Sequence, residues 1–418
     1  MSTYLGTLPV LTCQTTNSSS DTNFTELTTG TSIKTHNNGS FIVVDQHDLA
    51  HERQPSAENK AAEIRGYYES NPPDVAAEME KWYAATDRYG FLENDKLFTP
   101  DANQAEKEAE RATKWAGMAQ HAQLHGEDLH TFSVDSKVFF MKMQYKVSSN
   151  CVYKGIPDCW RRDAWYFVLT NGLQKAKNDD ALREQYKILL SEPSAHERQI
   201  DLDISRTMHG HIMFRQRYGQ GQRALFNVLR AFSGFDKEVG YCQGMTNIAA
   251  MLLMYCEEER AYTALVHMFL RDGLHNLFVP GFPALMESFF IQERLVERYL
   301  TRLYRHLQSI DVTSAAYATR WYITMFTGGV VKYQTLLRIW DVYFLEGFDV
   351  FYFVAIALLK TYQHQLLSSS FESCMTLLSS TLTVPDDDKF MKLVKKLHDR
   401  YSYRIPELRR EYEMMHKS

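Results

Sequence analysis

The sequence predicts an all-α protein in which many helices of unequal length form an irregular domain, with a disordered N-terminal tail and flanking helices. Three observations point to this class. Apolar residues recur at helical spacing through most of the chain, strand-like alternation is hard to find, and no repeat of fixed period emerges. With 44% hydrophobic and 13% aromatic residues, the chain has ample material for a large core.

Changes in composition divide the chain into four expected regions. Residues 1–56 are rich in Ser, Thr and Asn, which predicts a disordered polar tail. Ala, Glu and Lys recur through much of 57–150 and indicate a helical N-terminal extension, whose tryptophans need to pack against the main domain. The main helical domain is expected over 151–370. Residues 371–418 are expected to form C-terminal helices that pack on it.

Periodic apolar residues mark individual helices of the main domain. The clearest set falls at i, i+3, i+4 and i+7 and comprises Leu225, Val228, Leu229 and Phe232. The longest apolar run, Val350 to Leu359, is about half as long as a membrane-spanning helix. We therefore expect a buried core helix there and no transmembrane segment.

Composition excludes several functional classes. The formal charge is −5, from 46 Lys and Arg against 51 Asp and Glu, so a nucleic-acid partner is not expected. The six cysteines contain no C-x-x-C pair, which favours reduced thiols in the cytoplasm over disulfides or structural zinc. No secretory signal is evident. His209 and His211 lack a carboxylate or cysteine at ligand spacing, so we expect solvated loop histidines and no metal.

The first motif is Arg161-x-x-x-Trp165, which follows a Gly-Ile-Pro turn. Pro157 suits the first turn of a helix, and two residues four apart share one face of it. On its own, this pattern indicates packing at the start of a helix. It marks where the main domain begins.

The second motif is Ile200-x-x-Asp203-x-x-Arg206. We expect Ile200 to face a core, and Asp203 and Arg206 are spaced to pair. A surface ion pair is the simplest interpretation. The functional interpretation is that Asp203 fixes the local loop while Arg206 projects outward as a charged finger. Arginine suits this task because its guanidinium stays charged and offers a planar fork of donors to phosphate oxygens.

The third motif is Tyr241-x-Gln243-Gly244, which stands before an apolar helix. A second glycine precedes Tyr241, and the two glycines indicate a tight turn or a close approach. On its own, Gln243 is most simply explained as a residue that satisfies backbone groups at the helix start. Cys242 is not expected to be a nucleophile, because no charged neighbour is evident that would lower its pKa.

The fourth motif is Arg338-x-Trp340-Asp341, which lies within an apolar run. Trp340 is expected to be a core residue. Arg338 and Asp341 are expected to be partnered at the edge of that core, because buried charges need partners. This motif is interpreted as structural.

Taken in order, the motifs resemble those of the Tre-2/Bub2/Cdc16 (TBC) family of Rab GTPase-activating proteins. The first three are similar to the three signatures of that family, and the fourth follows where the family has a similar run. The similarity extends from about Lys154 to Gln365. Upstream, Asp87-Arg-Tyr-Gly-Phe91 resembles a lead-in found in part of the family.

The resemblance implies a V-shaped helical domain that binds a Rab-type small GTPase in its GTP-bound form and accelerates hydrolysis. Arg206 and Gln243 stand where the family has an arginine finger and a glutamine finger that act in trans. The arginine would neutralise charge on the transferring phosphoryl group, and the glutamine would position the attacking water. GTP and Mg²⁺ would belong to the partner, so this chain would need no cofactor and perform no bond-making chemistry of its own.

Two stretches depart from the usual pattern of the family. Met208 and His209 stand where an aromatic residue and a proline are common, which predicts a less rigid arginine loop. Gly328-Gly-Val-Val331 replaces a leucine-proline turn.

The alternative function is a non-catalytic scaffold of the same fold that binds a GTPase without speeding hydrolysis. The presence of both finger residues argues against it.

The expected location is the cytoplasm, with peripheral association with endomembranes through the partner. The stretch from Lys389 to Arg410 is basic and amphipathic. We expect it to pack against the domain, with membrane contact as the alternative. Which Rab is the substrate depends on surface complementarity, which these motifs do not encode.

Overall fold

The structure is a computed structural model that describes residues 24–26, 31–35, 41–45, 54–70, 86–92, 102–123, 151–170 and 179–416. In this part of the chain, three short strands precede a long series of helices. The described residues of the main domain form helices and their connections, which confirms the all-α prediction. The V shape stays a prediction.

A three-stranded antiparallel sheet corrects the prediction of a disordered polar tail for the described part of residues 1–56. Strands β1 (Phe24–Glu26), β2 (Thr31–Thr35) and β3 (Phe41–Asp45) pair in the order β1-β2-β3. The sequence of β3 is rich in β-branched residues, and the preceding Asn-Gly is a typical hairpin signal. Both signals are short and stand among polar residues, whose composition favours disorder. The rest of residues 1–53, with its predicted disorder, lies outside the described residues.

The helices follow in chain order. The extension contributes α1 (Gln54–Glu69) and α2 (Ala102–Gln123). The first half of the main domain contains α3 (Asp158–Leu169), α4 (Asp179–Ser191), α5 (Glu197–Ile204), α6 (Ile212–Arg215), α7 (Gln220–Phe235), α8 (Met245–Leu253), α9 (Glu258–Asp272) and α10 (His275–Phe278). The second half contains α11 (Pro283–Tyr299), α12 (Thr301–Ser309), α13 (Ser314–Ile323), α14 (Tyr333–Glu346), α15 (Val350–Thr361) and α16 (Gln363–Leu367). The chain continues with α17 (Phe371–Ser379), α18 (Asp387–Tyr401), a 3₁₀ turn (Ser402–Arg404) and α19 (Ile405–His416).

Helix α7 is the packing centre around which the second and third motifs are placed. Its four predicted core residues are fully buried: Leu225, Val228, Leu229 and Phe232. The helix packs against α4, α5, α8 and α9. Burial of each such side chain stabilises the fold by about 1.5–3 kcal/mol. Helix α7 therefore fixes α5, which carries Ile200 and Asp203, and α8, which directly follows Gly244.

Helix α15 is the corresponding centre of the second half. Every residue from Val350 to Leu359 is buried, which confirms the predicted core helix. It packs against α11, α14 and α18. Because Phe390 and Val394 of α18 are buried, this basic amphipathic helix packs on the domain as expected. Among the described residues, no helix has the length and apolar character needed to cross a membrane.

The N-terminal extension contacts the main domain through α1. The Tyr68 ring stacks on Phe226, with centroids 4.1 Å apart, and its hydroxyl donates to Asp201 at 2.7 Å. Arg65 pairs with the buried Glu197 at 3.4 Å. Both acidic partners lie on α5, so α1 covers the outer side of the helix that leads to Arg206. The Trp115 side chain on α2 is also buried, while Trp82 lies outside the described residues.

Candidate functional site

Arg206 lies in the turn that follows α5, within residues 205–211, which we call the arginine loop. Ile200 and Ile204 are fully buried on the inner face of α5 and fix the end of that helix. The Arg206 amide donates to Asp203 O at 3.2 Å, so the chain leaves the helix in a tight turn. The Arg206 side chain is 37% exposed. It reaches solvent, as the sequence predicts for a projecting arginine.

The Asp203 carboxylate joins the second motif to the third. Its Oδ1 accepts hydrogen bonds from Arg206 Nε and Nη2 at 3.1 and 2.5 Å. Its Oδ2 accepts one from the Tyr241 hydroxyl at 2.5 Å. The expected pairing of Asp203 with Arg206 is present, but the carboxylate is buried and not on the surface. Because Tyr241 stands two residues before Gln243, this carboxylate holds the segments that carry Arg206 and Gln243 together.

Two glycines shape the glutamine loop, which comprises residues 240–244. Gly240 has a φ of +57°, and a Cβ there would lie 2.2 Å from His196 Nε2. Gly244 has a φ of +107° and directly precedes α8, and its Cβ would lie 3.1 Å from Ile323 O. The backbone conformation and the lack of space both require glycine at these positions. The loop is thus fixed between the start of α5 and the end of α13.

All five residues of the glutamine loop are described, and Gln243 is the one that is not buried. Burial, followed by the charge of Asp203, raises the pKa of the Cys242 thiol to about 12. The thiol therefore stays protonated at neutral pH, in agreement with the prediction that Cys242 is not a nucleophile. Gln243 is thus the partly exposed polar residue of this loop, and the Cys242 thiol is buried.

Asp341 on α14 is the centre of a second cluster, which is enclosed. Its Oδ1 accepts from Arg161 Nε at 3.0 Å and from Trp165 Nε1 at 2.8 Å, and its Oδ2 accepts from the Ile156 amide at 2.8 Å. Burial alone would lower the pKa of Arg161, but the charge of Asp341, its hydrogen bond to Arg161 and the nearby Tyr255 and Asp158 together outweigh burial, so that pKa lies above its usual range. Arg161 and Trp165 share a helix face, as expected. The cluster joins the first motif to the fourth and holds α3 against α14.

The remaining residues of the fourth motif are structural. Trp340 is fully buried, and its Nε1 donates to Met325 O at 3.0 Å, which confirms the core prediction. Arg338 and Asp341 are both partnered, but with different residues. Arg338 Nη2 donates to the Asp388 carboxylate of α18 at 3.0 Å. The motif therefore anchors a C-terminal helix as well as α3.

His211 is buried, so the expectation of a solvated loop histidine is wrong for this residue. Its Nδ1 accepts a hydrogen bond from the Met213 amide at 3.2 Å, as the N-cap of α6, and its Nε2 lies 2.8 Å from Tyr89 O. Burial lowers the pKa of His211. Its partner Tyr89 lies 122 residues away in sequence, which no local pattern reveals. His209 is exposed, as predicted.

The arginine loop therefore carries an exposed guanidinium, the glutamine loop carries the partly exposed Gln243, and Asp203 links the two loops. Neither group is a nucleophile. Together they can donate hydrogen bonds to anionic oxygens and orient a water molecule. Within the ranges that the structure describes, no three or more His, Cys, Asp or Glu side chains are placed to hold a metal ion.

Comparison with known proteins connects this geometry to a family. The model of the Rab-GTPase-TBC domain matches residues 158–367, which run from the start of α3 to the end of α16 and contain all four motifs. The chain belongs to the Rab-GTPase-TBC domain family. This confirms the family resemblance of the sequence. Helices α1 and α2 precede the matched TBC domain, and α17 to α19 follow it.

The similarity to curated relatives covers more residues than the TBC domain match. A TBC domain-containing protein of Schizosaccharomyces pombe is 35% identical over 295 residues, which cover 69% of this chain and 67% of that protein. The Rab GTPase-activating protein tbc-11 of Caenorhabditis elegans is 35% identical over 227 residues, which cover 54% of this chain and 24% of that protein. The chain thus matches about two thirds of the first relative's length and about a quarter of the second's.

Two solved structures share the fold. The Chlamydomonas flagellar RabGAP TBC domain superposes with a TM-score of 0.55 at 24% identity, over 74% of this chain and 98% of that one. The Ypt/Rab-GAP domain of Gyp1p superposes with a TM-score of 0.57 at 18% identity, over 71% of this chain and 99% of that one. These similarities confirm the TBC fold.

Proposed function

We propose that this TBC protein accelerates GTP hydrolysis by a Rab-type small GTPase, with Arg206 and Gln243 supplied in trans to the active site of the partner. The observation that carries the proposal is the Asp203 carboxylate. One oxygen holds the exposed Arg206 guanidinium, and the other holds the Gln243 loop through Tyr241. This link between the two loops supports the proposal that both residues act on one bound phosphate.

In the proposed reaction, the partner holds GTP and Mg²⁺, and water attacks the γ-phosphorus. The bond to the oxygen that bridges the β- and γ-phosphates breaks, and GDP and inorganic phosphate form, with the protons of the water on the products. Arg206 donates to the oxygens on which negative charge develops. Gln243 accepts from the water with its carbonyl oxygen and donates to the phosphate with its NH₂. Asp203 limits the orientations of Arg206, so less entropy is lost when the complex forms.

The proposed partner is the GTP-bound form, because only this form presents the γ-phosphate to both groups. The names of the similar proteins support the partner class: one is a Rab GTPase-activating protein, and another is a Ypt/Rab-GAP domain. Activity would take place in the cytoplasm, and contact with endomembranes would come through the partner. The chain itself would hold no cofactor.

Phosphate release from a panel of purified, GTP-loaded Rabs tests this proposal. Wild-type protein should accelerate at least one Rab, and Arg206→Ala and Gln243→Ala should abolish the acceleration. Arg162→Ala is a matched control, since Arg162 is 45% exposed and pairs with Glu257 outside both loops. Full activity in both finger variants would overturn the residue assignment. Binding without acceleration for every Rab would support the alternative, a non-catalytic GTPase-binding scaffold.

A further inference from the structure

The turn of residues 86–92, which we call the lead-in turn, lies outside the matched TBC domain and pairs with the arginine loop. The Leu92 amide donates to Gly210 O at 2.8 Å, and the Ile212 amide donates to Gly90 O at 2.9 Å. These bonds form a short antiparallel bridge. The backbone that follows Arg206 is thus held by an earlier segment of the chain.

Side chains strengthen this contact and extend it to α14. His211 Nε2 lies 2.8 Å from Tyr89 O, and the Phe91 ring meets the His211 ring edge-on with centroids 4.9 Å apart. The Phe91 ring also packs against Tyr333 at the start of α14, with centroids 4.7 Å apart. The lead-in turn therefore connects the arginine loop to a helix in the other half of the domain.

The shape of the lead-in turn depends on Asp87 and Gly90. Asp87 Oδ1 accepts hydrogen bonds from the Tyr89 and Phe91 amides at 2.8 and 2.9 Å. Gly90 has a φ of +88°, and a Cβ there would lie 2.6 Å from His211 Nε2. A side chain at Gly90 would strain the turn and displace the histidine. Both residues thus form the turn in the shape that fits the arginine loop.

The arginine loop contains a strained backbone conformation, which contacts from other segments such as the lead-in turn can stabilise. Met208, two residues after Arg206, has a φ of +45°, which non-glycine residues seldom adopt. Strained residues persist when the surrounding structure holds them. We infer that the lead-in turn positions the arginine loop, so residues 86–92 form part of the catalytic unit although they lie outside the TBC domain. This inference rests on the proposed function of Arg206.

Substitutions of Asp87 separate positioning from simple docking. Asp87→Ala removes the acceptor of both amide hydrogen bonds, whereas Asp87→Asn keeps a side-chain oxygen. With a responsive Rab, Asp87→Ala should lower kcat about ten- to a hundredfold through misplacement of Arg206, with KM unchanged. Asp87→Asn should restore most of the rate. Arg162→Ala is the matched control and should leave kcat unchanged, because its exposed side chain pairs with Glu257, away from the lead-in turn and both loops.

Hydrogen exchange gives a readout that does not depend on the GTPase. The amides of Thr207 and His211 bond to Ile204 O and Met208 O at 3.1 and 2.8 Å, around the arginine loop itself. Asp87→Ala should speed exchange at these two amides and leave Leu229 in the core unchanged. Gly90→Ala, which keeps the Asp87 side chain, should give the same pattern.

Three results would overturn the inference. The first is unchanged hydrogen exchange at both loop amides in Asp87→Ala. The second is an equal loss of kcat in Asp87→Ala and Asp87→Asn. The third is a raised KM with an unchanged kcat in Asp87→Ala. The hydrogen-exchange experiment tests the positioning of the arginine loop even if no Rab is accelerated. Faster exchange in Asp87→Ala, combined with a wild-type protein that accelerates no Rab, would instead support the positioning of the loop and contradict the proposed function.

Discussion

Two arginine–aspartate pairs in this TBC protein are built from the same residue types but differ in burial. In the first, the side chain of Asp203 is 1% exposed and that of Arg206 is 37% exposed. In the second, the side chain of Asp341 is 0% exposed and that of Arg161 is 7% exposed. Each aspartate also accepts a hydrogen bond from an aromatic side chain on another element. The pairs therefore differ mainly in whether the guanidinium reaches solvent.

This difference separates a group that can act on another molecule from one that holds the fold. A guanidinium that reaches solvent can donate to an anionic ligand, whereas an enclosed one donates within the protein. Removal of one partner from a buried pair costs about 3–5 kcal/mol, because the other charge is left uncompensated. Arg206 should thus matter for activity, and Arg161 for stability.

The largest expected effect concerns the exposed arginine. Arg206→Lys keeps the charge but loses the planar fork of donors, so the rate of GTP hydrolysis should fall about 10³- to 10⁵-fold, as for Arg206→Ala. The melting temperature of the lysine variant should change little, because lysine keeps a cation beside the buried Asp203 carboxylate. Single-turnover phosphate release and thermal unfolding measure the two quantities. A lysine variant with the wild-type rate would show that charge alone suffices and would contradict the proposed role of Arg206.

The enclosed arginine should show the opposite behaviour. Arg161→Ala leaves the buried Asp341 carboxylate without its cation, and the free energy of unfolding should fall by about 3–5 kcal/mol. The adjacent Arg162→Ala, at a 45% exposed side chain, should change it by no more than about 0.5 kcal/mol. Urea unfolding measures both. Equal stability of Arg161→Ala and Arg162→Ala would contradict the structural role assigned to the enclosed Arg161–Asp341 pair.

The Tyr241 hydroxyl tests the link between the two loops. Tyr241→Phe leaves Asp203 Oδ2 buried without that donor, which should cost about 1–3 kcal/mol of stability. It should also slow hydrolysis, by less than Arg206→Ala does. Tyr262→Phe is the matched control, since the buried Tyr262 hydroxyl has no hydrogen-bond partner among the described residues. If both variants are equally stable, the Asp203 link contributes nothing.

The smallest expected effect is a pH dependence at His211. Burial lowers its pKa below the ordinary value of 6.5, so the unfolded chain takes up a proton at a pH where the folded chain does not. The contribution of His211 to stability is therefore full above about pH 6.5 and declines as the pH falls below it. His211→Asn keeps an acceptor for the helix cap. Urea unfolding between about pH 5 and 8 should show a flatter curve for this variant. A steeper curve would contradict this assignment.

Local rules predicted what lies within one helix. The buried face of α7 and the apolar α15 follow from periodicity, because a helix that is covered on one side or all round needs apolar residues at fixed spacing. The pairing of Asp203 with Arg206 also follows from local spacing, since residues three apart are neighbours on a helix and in the turn that continues from its end. These features needed no knowledge of the tertiary structure.

Contacts between distant segments could not be predicted in this way. Tyr241 reaches Asp203 across 38 residues, Arg161 reaches Asp341 across 180, and His211 reaches Tyr89 across 122. Their geometry depends on how the helices pack, which local spacing does not determine. The family resemblance identified the order of the motifs, but not the carboxylate that links the arginine loop to the glutamine loop.

A double-mutant cycle on Arg206 and Gln243 tests the central claim most directly. Single-turnover hydrolysis by one responsive GTP-loaded Rab would be measured with wild-type protein, Arg206→Ala, Gln243→Ala and the double variant. Groups that act on the same phosphate as a unit are not additive, so each single variant should lose most of the acceleration and the double variant little more. Independent, multiplicative losses, or wild-type rates in either single variant, would contradict the account.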